Sequence, residues 1–209
     1  MIKIILIGAG GLGKEIYNYL KSNINTKFNI IGILDDCEEN YHNSNIPLDY
    51  LGKIDDYNFK KNELSIIAIG NTNIRKKIYE SLKEKCDFYT YIHPLAYIAE
   101  DVVIGTGTVV CPFCTVNSSS VVGENTLLNA YSSVGHDARV GKHSVLSPYS
   151  TLLGFAEVGD ECFLATRVTV FPSVKVGTNV TVSAHTIVKK NYESNTIVYE
   201  RPKIYKSEK

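Results

Sequence analysis

The stretch LNAYSSVGHDARVGKHSVLSPYSTLLGFAEV, residues 128–158, decides the fold. Every sixth residue in it is aliphatic: Leu128, Val134, Val140, Leu146, Leu152 and Val158. The register runs back through Val122, Val116, Val110 and Ile104 to Ile98, and forward through Leu164, Val170, Val176 and Val182 to Val188. All sixteen positions are aliphatic and no insertion interrupts them. A β-sandwich does not hold one six-residue register across so long a segment, whereas a stacked solenoid does. Each hexapeptide therefore reads as a short strand and a bend, with the aliphatic side chain pointing inward.

The position four after each aliphatic is mostly small, as at Thr108, Cys114, Ser120, Thr126, Ser132, Ala138, Ser144, Ser150, Ala156 and Cys162, and belongs near a corner. The position directly after the aliphatic is often glycine (Gly105, Gly123, Gly135, Gly141, Gly159, Gly177), expected to relieve the turn through its backbone freedom. Three hexapeptides close one triangular coil, so about five coils follow, roughly 4.8 Å apart as in any β-ladder. The expected architecture is a parallel β-helix. Its period does not set its hand.

Before residue 98 the grammar differs. Lys3–Ile7 is a short buried-strand run, and Gly11–Lys21 has helical spacing with Ile16 and Leu20 four apart. Asn29–Leu34 and Leu64–Ile69 read as strands, and Asn73–Lys85 as a helix with Ile74, Ile78 and Leu82 as its apolar stripe. This alternation predicts a small parallel sheet with helices on its faces, ending near Tyr91. Residues 37–60 are polar and carry no clear signal. Two domains are expected, 1–92 of α/β type and 93–209 carrying the β-helix and a C-terminal tail.

Lysine plus arginine equals aspartate plus glutamate, 22 each, which offers no basic groove for nucleic acid and no patch for an anionic membrane. The apolar run Ile4–Ile7 is too short for a secretory signal, and no run approaches the ~20 residues needed to span a bilayer. Five cysteines without small-scaffold spacing argue against a disulfide framework. A cytoplasmic location is expected. Cys111 and Cys114 form a CxxC pair, but both sit on repeat positions that want small or apolar residues, and no second pair completes a metal site.

Two local motifs carry chemistry. Gly8, Gly10 and Gly13 form GxGxxG between a strand and a helix, where glycines let backbone approach phosphate oxygens and the helix N-terminus favours negative charge. Asp35 and Asp36 follow the second strand, where a ribose-binding acid belongs. Taken alone this reads as a dinucleotide site, but a domain of ~90 residues is short for a full two-half dinucleotide fold. The second motif is His136-Asp137, two residues after the inward Val134 and so in a bend, facing out. An imidazole with a pKa near ~6.5 suits general-base work, and an adjacent carboxylate can fix its tautomer. Gly154 lies one coil after His136, so a backbone N–H there could meet a developing oxyanion. His143 and His185 sit at a different repeat position and read as surface or interface groups.

Together GAGGLG at 8–13, LDD at 34–36, AIGN at 68–71 followed by IRKKIY at 74–79, IHP at 92–94 and GHD at 135–137 resemble bacterial sugar acetyltransferases of the sialic-acid O-acetyltransferase and bacillosamine-pathway N-acetyltransferase type, over nearly the whole chain. The resemblance implies a left-handed β-helix, an N-terminal nucleotide-sugar-binding domain, and trimers with active sites between neighbouring helices. It implies that Gly10, Gly11, Leu12, Gly13, Asp35, Asp36, Gly70 and Asn71 hold the nucleotide sugar, with Arg75 a further phosphate or base contact and Asn129 near the transferred group. It makes His136 the general base and Asp137 its orienting acid. Acetyl-CoA is the implied co-substrate, with contacts at Gly154, Thr166 and Ala184, and no metal is expected. Tyr131, Tyr149, Phe155 and Phe171 are expected to line the grooves between subunits.

Two departures stand out: Leu12 and Val145 occupy positions where relatives often have histidine. The ending Arg201-Pro202-Lys203 resembles the family's Pro-Ala-Lys imperfectly. The implied reaction is direct N-acetylation of a nucleotide-linked 4-amino-4,6-dideoxyhexose for surface polysaccharide such as O-antigen lipopolysaccharide. O-acetylation of a sugar such as sialic acid is the alternative. A γ-carbonic-anhydrase-like hydratase would need three histidines on facing surfaces. A noncatalytic nucleotide-sugar-binding scaffold would not need His136.

Overall fold

The computed structural model describes residues 1–23 and 27–199. The N-terminal part is a five-stranded parallel sheet built from β1 (Ile2–Ile7), β2 (Phe28–Leu34), β3 (Tyr50–Gly52), β4 (Glu63–Ile67) and β5 (Asp87–Phe88), in the order β3-β2-β1-β4-β5. Helices α1 (Gly11–Ser22), α2 (Glu38–Ser44) and α3 (Thr72–Leu82) connect them. The order reverses between β1 and β4, so a crevice opens beyond their carboxyl ends. Both strands are central, which explains why Ile4, Ile5, Leu6, Ile7, Ile66 and Ile67 form apolar runs rather than an alternation. The silent segment 37–60 holds α2 and β3, an edge strand of three residues that is too short to show a period.

Helix α3 faces differently from the expected stripe. Its buried residues are Arg75, Ile78, Tyr79 and Leu82, while Ile74 is exposed. The polar Arg75 is inside because it has a dedicated set of acceptors, described below.

From Tyr91 the chain winds into a left-handed parallel β-helix, in which three sheets of six, five and seven two-residue strands form the walls. Successive coils pair in steps of eighteen residues, such as Ser133 on Thr151 and Val134 on Leu152. The ladder starts one strand earlier than the repeat suggested: Tyr91–Ile92 already pairs with Val109–Val110. There it is Tyr91 that is buried, against Phe28, and not the in-register Ile92. The ladder also outlasts the repeat. Thr181 pairs with Ile197 and Val182 with Val198, a step of sixteen, so the last coil is two residues short and the six-residue register ends at Val188.

Inside the prism the stacked aliphatics are buried throughout, from Val110 to Val188. Full burial of such a side chain contributes roughly 1.5–3 kcal/mol. The small residues fill the corners, also fully buried, and their polar atoms bond across coils: Thr108 Oγ1 donates to Gly123 O (2.8 Å), Thr126 Oγ1 to Gly141 O (3.0 Å) and Ser144 Oγ to Gly159 O (2.9 Å). Cys114 Sγ does the same toward Asn129 O at 3.1 Å. Cys111 and Cys114 are both free thiols with no exposed surface, and burial pushes both thiols upward.

The glycines act through space rather than turn conformation. Those after each aliphatic do not take positive φ. A Cβ on Gly105 would meet Glu124 N at 2.4 Å, and one on Gly141 would meet Gly159 C at 2.3 Å. The coils touch there, so no side chain fits. The left-handed conformation falls two residues later and is taken by ordinary residues, including Asn125, Tyr131, Asp137, His143, Tyr149 and Phe155, with φ from 49 to 64°. Such a conformation costs on the order of 1 kcal/mol or more per residue. It aims each N–H at the coil before it, as Tyr131 N–H to Pro112 O (3.2 Å) and Asp137 N–H to Ser118 O (3.0 Å), and each side chain outward.

Candidate functional site

The crevice beyond β1 and β4 is a cleft of about 470 Å³. Gly8, Gly10, Gly11, Leu12, Asp35, Asp36, Cys37, Asn40, Ala68, Ile69 and Gly70 line it, with Ile54, Ile74 and Ile78 as an apolar wall. The glycines divide by role. Gly8 has φ +110°, and a Cβ on Gly13 would lie 2.3 Å from Gly8 O, so helix and strand pack without room between them. Gly10 and Gly11 have nothing within 4 Å of a notional Cβ, which leaves their side of the loop open to a ligand. Gly10 caps α1 without a side-chain bond, and the first turn holds no acid. The free N–H groups and the helix dipole there suit a phosphate.

The two aspartates also separate. Asp35 is buried and committed: Oδ2 accepts from Ala9 N–H (2.8 Å), and Oδ1 accepts from Cys37 N–H (2.9 Å) and Asn40 Nδ2 (3.2 Å). It ties the glycine loop to the start of α2. Asp36 is exposed, lines the cleft and uses Oδ1 on Ile54 N–H (3.0 Å), which leaves its other oxygen for a ligand. Gly70 lines the cleft, while the Asn71 side chain caps α3 by accepting from Ile74 N–H at 3.0 Å. Cys37, Asn40, Ile54 and Ile74 were not legible as site residues. The helical spacing had placed Ile74 on the apolar stripe of its helix, and its exposure at the cleft emerges only from the fold.

Arg75 is not in the cleft. It has no exposed surface, and all five of its N–H donors are engaged: Nη1 with Ile67 O (2.7 Å) and Ile69 O (2.9 Å), Nε and Nη2 with Asn125 O (3.2 Å each), and Nη2 with Asn125 Oδ1 (3.0 Å). This corrects its expected role as a phosphate contact, because no donor remains. His143 belongs to the same junction. It is buried, its Nδ1 lies 3.0 Å from Asn125 Nδ2, and its ring meets Tyr79 edge-on at 5.4 Å. Lys76 Nζ adds an ion pair to Glu161 at 2.7 Å. The N-terminal domain therefore docks on one edge of the prism, the column Asn125, His143 and Glu161.

A second edge carries the imidazole. His136 Nδ1 lies 2.9 Å from Asp137 Oδ2, and the ring stands edge-on to Phe155 at 5.1 Å. One coil on, a Cβ at Gly154 would fall 2.5 Å from His136 Nε2. The stacking inferred from the spacing is thus met by geometry: the imidazole lies against the Gly154 backbone. With Nδ1 facing a carboxylate, a neutral ring carries its proton there and presents a lone pair at Nε2. The side chains of His136, Asp137 and Phe155 are all exposed on this edge.

The third edge is aromatic. Phe113, Tyr131 and Tyr149 stack one per coil, 4.8 Å apart at 17° and 2°, and Arg167 lies over Tyr149 at 4.9 Å. Thr166 and Ala184 are on this edge, where His185 N–H donates to Thr166 O (2.9 Å). Asn129 is too, its Oδ1 accepting from Ala130 N–H at 2.8 Å. Gly154, Thr166, Ala184 and Asn129 are therefore not gathered around one spot within a chain. Phe171 is exposed beside Lys189. The residues Arg201-Pro202-Lys203 lie outside the described residues. Among the described residues no cluster of three metal-ligating side chains occurs, and no helix is long and apolar enough to cross a membrane.

A half-Rossmann sheet docked on one edge of a hexapeptide β-helix that bears an exposed His–Asp pair defines the class. Residues 3–82 match the PglD N-terminal domain family and residues 119–154 the bacterial transferase hexapeptide family. A UDP-N-acetylbacillosamine N-acetyltransferase from Bacillus subtilis (strain 168) is 31% identical over 118 residues, 53% of this chain and 51% of that protein, so the match spans about half the length of this relative. The acetyltransferase domain of PglB from Neisseria gonorrhoeae FA1090 superposes with a TM-score of 0.86 at 25% identity, over 97% of this chain and 98% of that one, and has also been solved in complex with acetyl coenzyme A. PerB from Caulobacter crescentus, in complex with CoA and GDP-perosamine, shares the fold with a TM-score of 0.82 at 23% identity over 95% of this chain and 94% of its own.

Proposed function

We propose that this protein transfers the acetyl group of acetyl-CoA to the amino group of a nucleotide-linked 4-amino-4,6-dideoxyhexose, with His136 as general base. The observation that carries this is the exposed His136 imidazole, held by Asp137 at Nδ1 and laid on Gly154 with Nε2 nearest that glycine. The similarity to bacillosamine and perosamine N-acetyltransferases supports the substrate class.

In this reading residues 1–92 bind the nucleotide sugar and residues 93–209 carry the acyl transfer. The α1 N-terminus at Gly10, Gly11, Leu12 and Gly13 takes the diphosphate, and Asp36 with Gly70 and the isoleucine wall takes the nucleoside. Asp35 and Asn71 act by shaping that cleft. Nε2 of His136 accepts the amine proton as nitrogen attacks the thioester carbonyl. The N–C bond forms, the C–S bond breaks, and the proton passes to the departing thiolate. A Gly154 N–H donor would stabilise the oxyanion on the way. No acyl-enzyme is involved.

The cleft sits beside one edge of the prism, His136 is on another, and Thr166, Ala184 and Asn129 are on the third. A homotrimer, in which edges of neighbouring chains face each other, accounts for this separation and for the aromatic stripe. The reaction fits a cytoplasmic step of surface-polysaccharide synthesis.

An acetyl-CoA thiol-release assay against UDP-, dTDP- and GDP-linked 4-amino sugars tests the proposal, with H136A alongside. Turnover on one of them that drops about 10²-fold or more in the variant supports it. Silence on all of them, with activity on a free sugar hydroxyl such as that of sialic acid, replaces it with O-acetylation.

A further inference from the structure

Arg75 is a buried cation whose hydrogen bonds reach no carboxylate. Its acceptors are four carbonyl oxygens, two from the end of β4 and the turn after it and two from Asn125 of the β-helix. The turn after β4 is a wall of the cleft, since Ala68, Ile69 and Gly70 line it. Asn125 is equally committed. Its Oδ1 accepts from Arg75, and its Nδ2 donates to Arg75 O (3.1 Å) and faces His143 Nδ1 (3.0 Å). The orientation of the Asn125 amide is therefore set by Arg75, and it makes Nδ1 of His143 an acceptor. Burial pushes the Arg75 guanidinium down to about 9, which leaves it charged at neutral pH. An aliphatic residue would fill this space more cheaply than an unpaired charge. What only the planar five-donor fork provides is a fixed geometry between two elements.

We infer that Arg75 is a positioning residue: it sets the wall of the nucleotide cleft against the β-helix and so fixes where the cleft delivers its ligand relative to the coils. This rests on the reading that the cleft holds a nucleoside diphosphate sugar. It separates two properties that a direct ligand would join. A nucleoside diphosphate touches only the N-terminal domain and should bind with or without Arg75. Transfer needs the sugar at the imidazole of another edge, and a displacement of about 1 Å there costs about 10²-fold.

The test uses R75K and R75M in the full chain, with thermal unfolding to confirm folding and N125A as a second variant from the other side. Nucleoside diphosphate binding is titrated directly, and kcat and KM are taken from thiol release. The expected result is an unchanged Kd with kcat lowered about 10²-fold, R75K failing to rescue because three rotatable donors cannot satisfy four fixed carbonyls. Loss of nucleoside diphosphate affinity in step with kcat would make Arg75 a ligand of the cleft and overturn the inference. Loss of stability alone, with kcat intact, would overturn it too.

A spin-label distance between the exposed Cys37 and an S173C variant reports the domain geometry whatever the substrate proves to be. It should broaden in R75K, and an unchanged distribution refutes the inference even if wild-type turnover is absent. Absent wild-type turnover with a broadened distance would refute the acetyltransferase reading alone.

Discussion

The Nε2 atom of His136 lies 2.5 Å from where the first side-chain atom of residue 154 would be, so His136 and Gly154 fit only because residue 154 has no side chain. The imidazole is largely exposed and can swing away. G154A is therefore expected to lower turnover at least about 10-fold while moving Tm by less than a few degrees, since an exposed ring relieves the clash at little cost. A large drop in Tm with turnover preserved would show that the glycine serves coil stacking alone.

Asp137 holds the proton-bearing nitrogen of that ring. D137N keeps the shape but offers an amide where the carboxylate was, so the other tautomer becomes accessible. Turnover should fall by about 10²-fold or more, with KM for acetyl-CoA little changed, as measured by steady-state thiol release.

Asp35 and Asp36 should part in mutagenesis. D35A leaves three donors around a buried position without an acceptor and is expected to destabilise by about 1–3 kcal/mol in urea unfolding. D36N should leave stability alone and weaken nucleoside diphosphate binding, read by calorimetry. The exposed Cys37 thiol at the same cleft should be alkylated readily and protected by nucleoside diphosphate, whereas Cys111 and Cys114 should stay unreactive until the chain unfolds.

The domain junction should be acid-sensitive. Burial lowers the His143 pKa, while Glu80, Glu161 and Asp160 raise it and Lys76 lowers it further. The net shift is downward, so the unfolded chain binds a proton that the folded one resists. Stability is then fully present above the ordinary value of ~6.5 and declines as pH falls through it toward the folded pKa. The buried His93, also lowered, adds in the same direction. Tm followed from about pH 8 to 5 should decline below ~6.5, and the decline should be shallower in H143Q.

The β-helix was legible because its physics is one-dimensional. Each inward position repeats the same environment, so one rule serves them all, as the stacking of Leu146 on Leu164 shows. Its start was not, because Tyr91 packs on the other domain rather than into the stack. Its end was not, because a coil shortened by two residues breaks the period without breaking the ladder. The His136–Gly154 relation could be read from a difference of eighteen. Arg75 could not, since two of its acceptors are carbonyls fifty residues away and a cation beside a phosphate loop looks like a phosphate ligand. Nor could the unequal roles of Asp35 and Asp36, which depend on which carboxylate the loop folds over.

The eighteen-residue step turns residue number into an address. Asn125, His143 and Glu161 share one column, Ser119, Asp137 and Phe155 another, and Tyr131, Tyr149 and Arg167 the third. A change in one column leaves the backbone ladders of the other two intact. Docking of the front domain, the proton-accepting pair and the aromatic stripe can therefore drift independently, and a chain of this design can acquire a new sugar specificity without rebuilding the chemistry that modifies it.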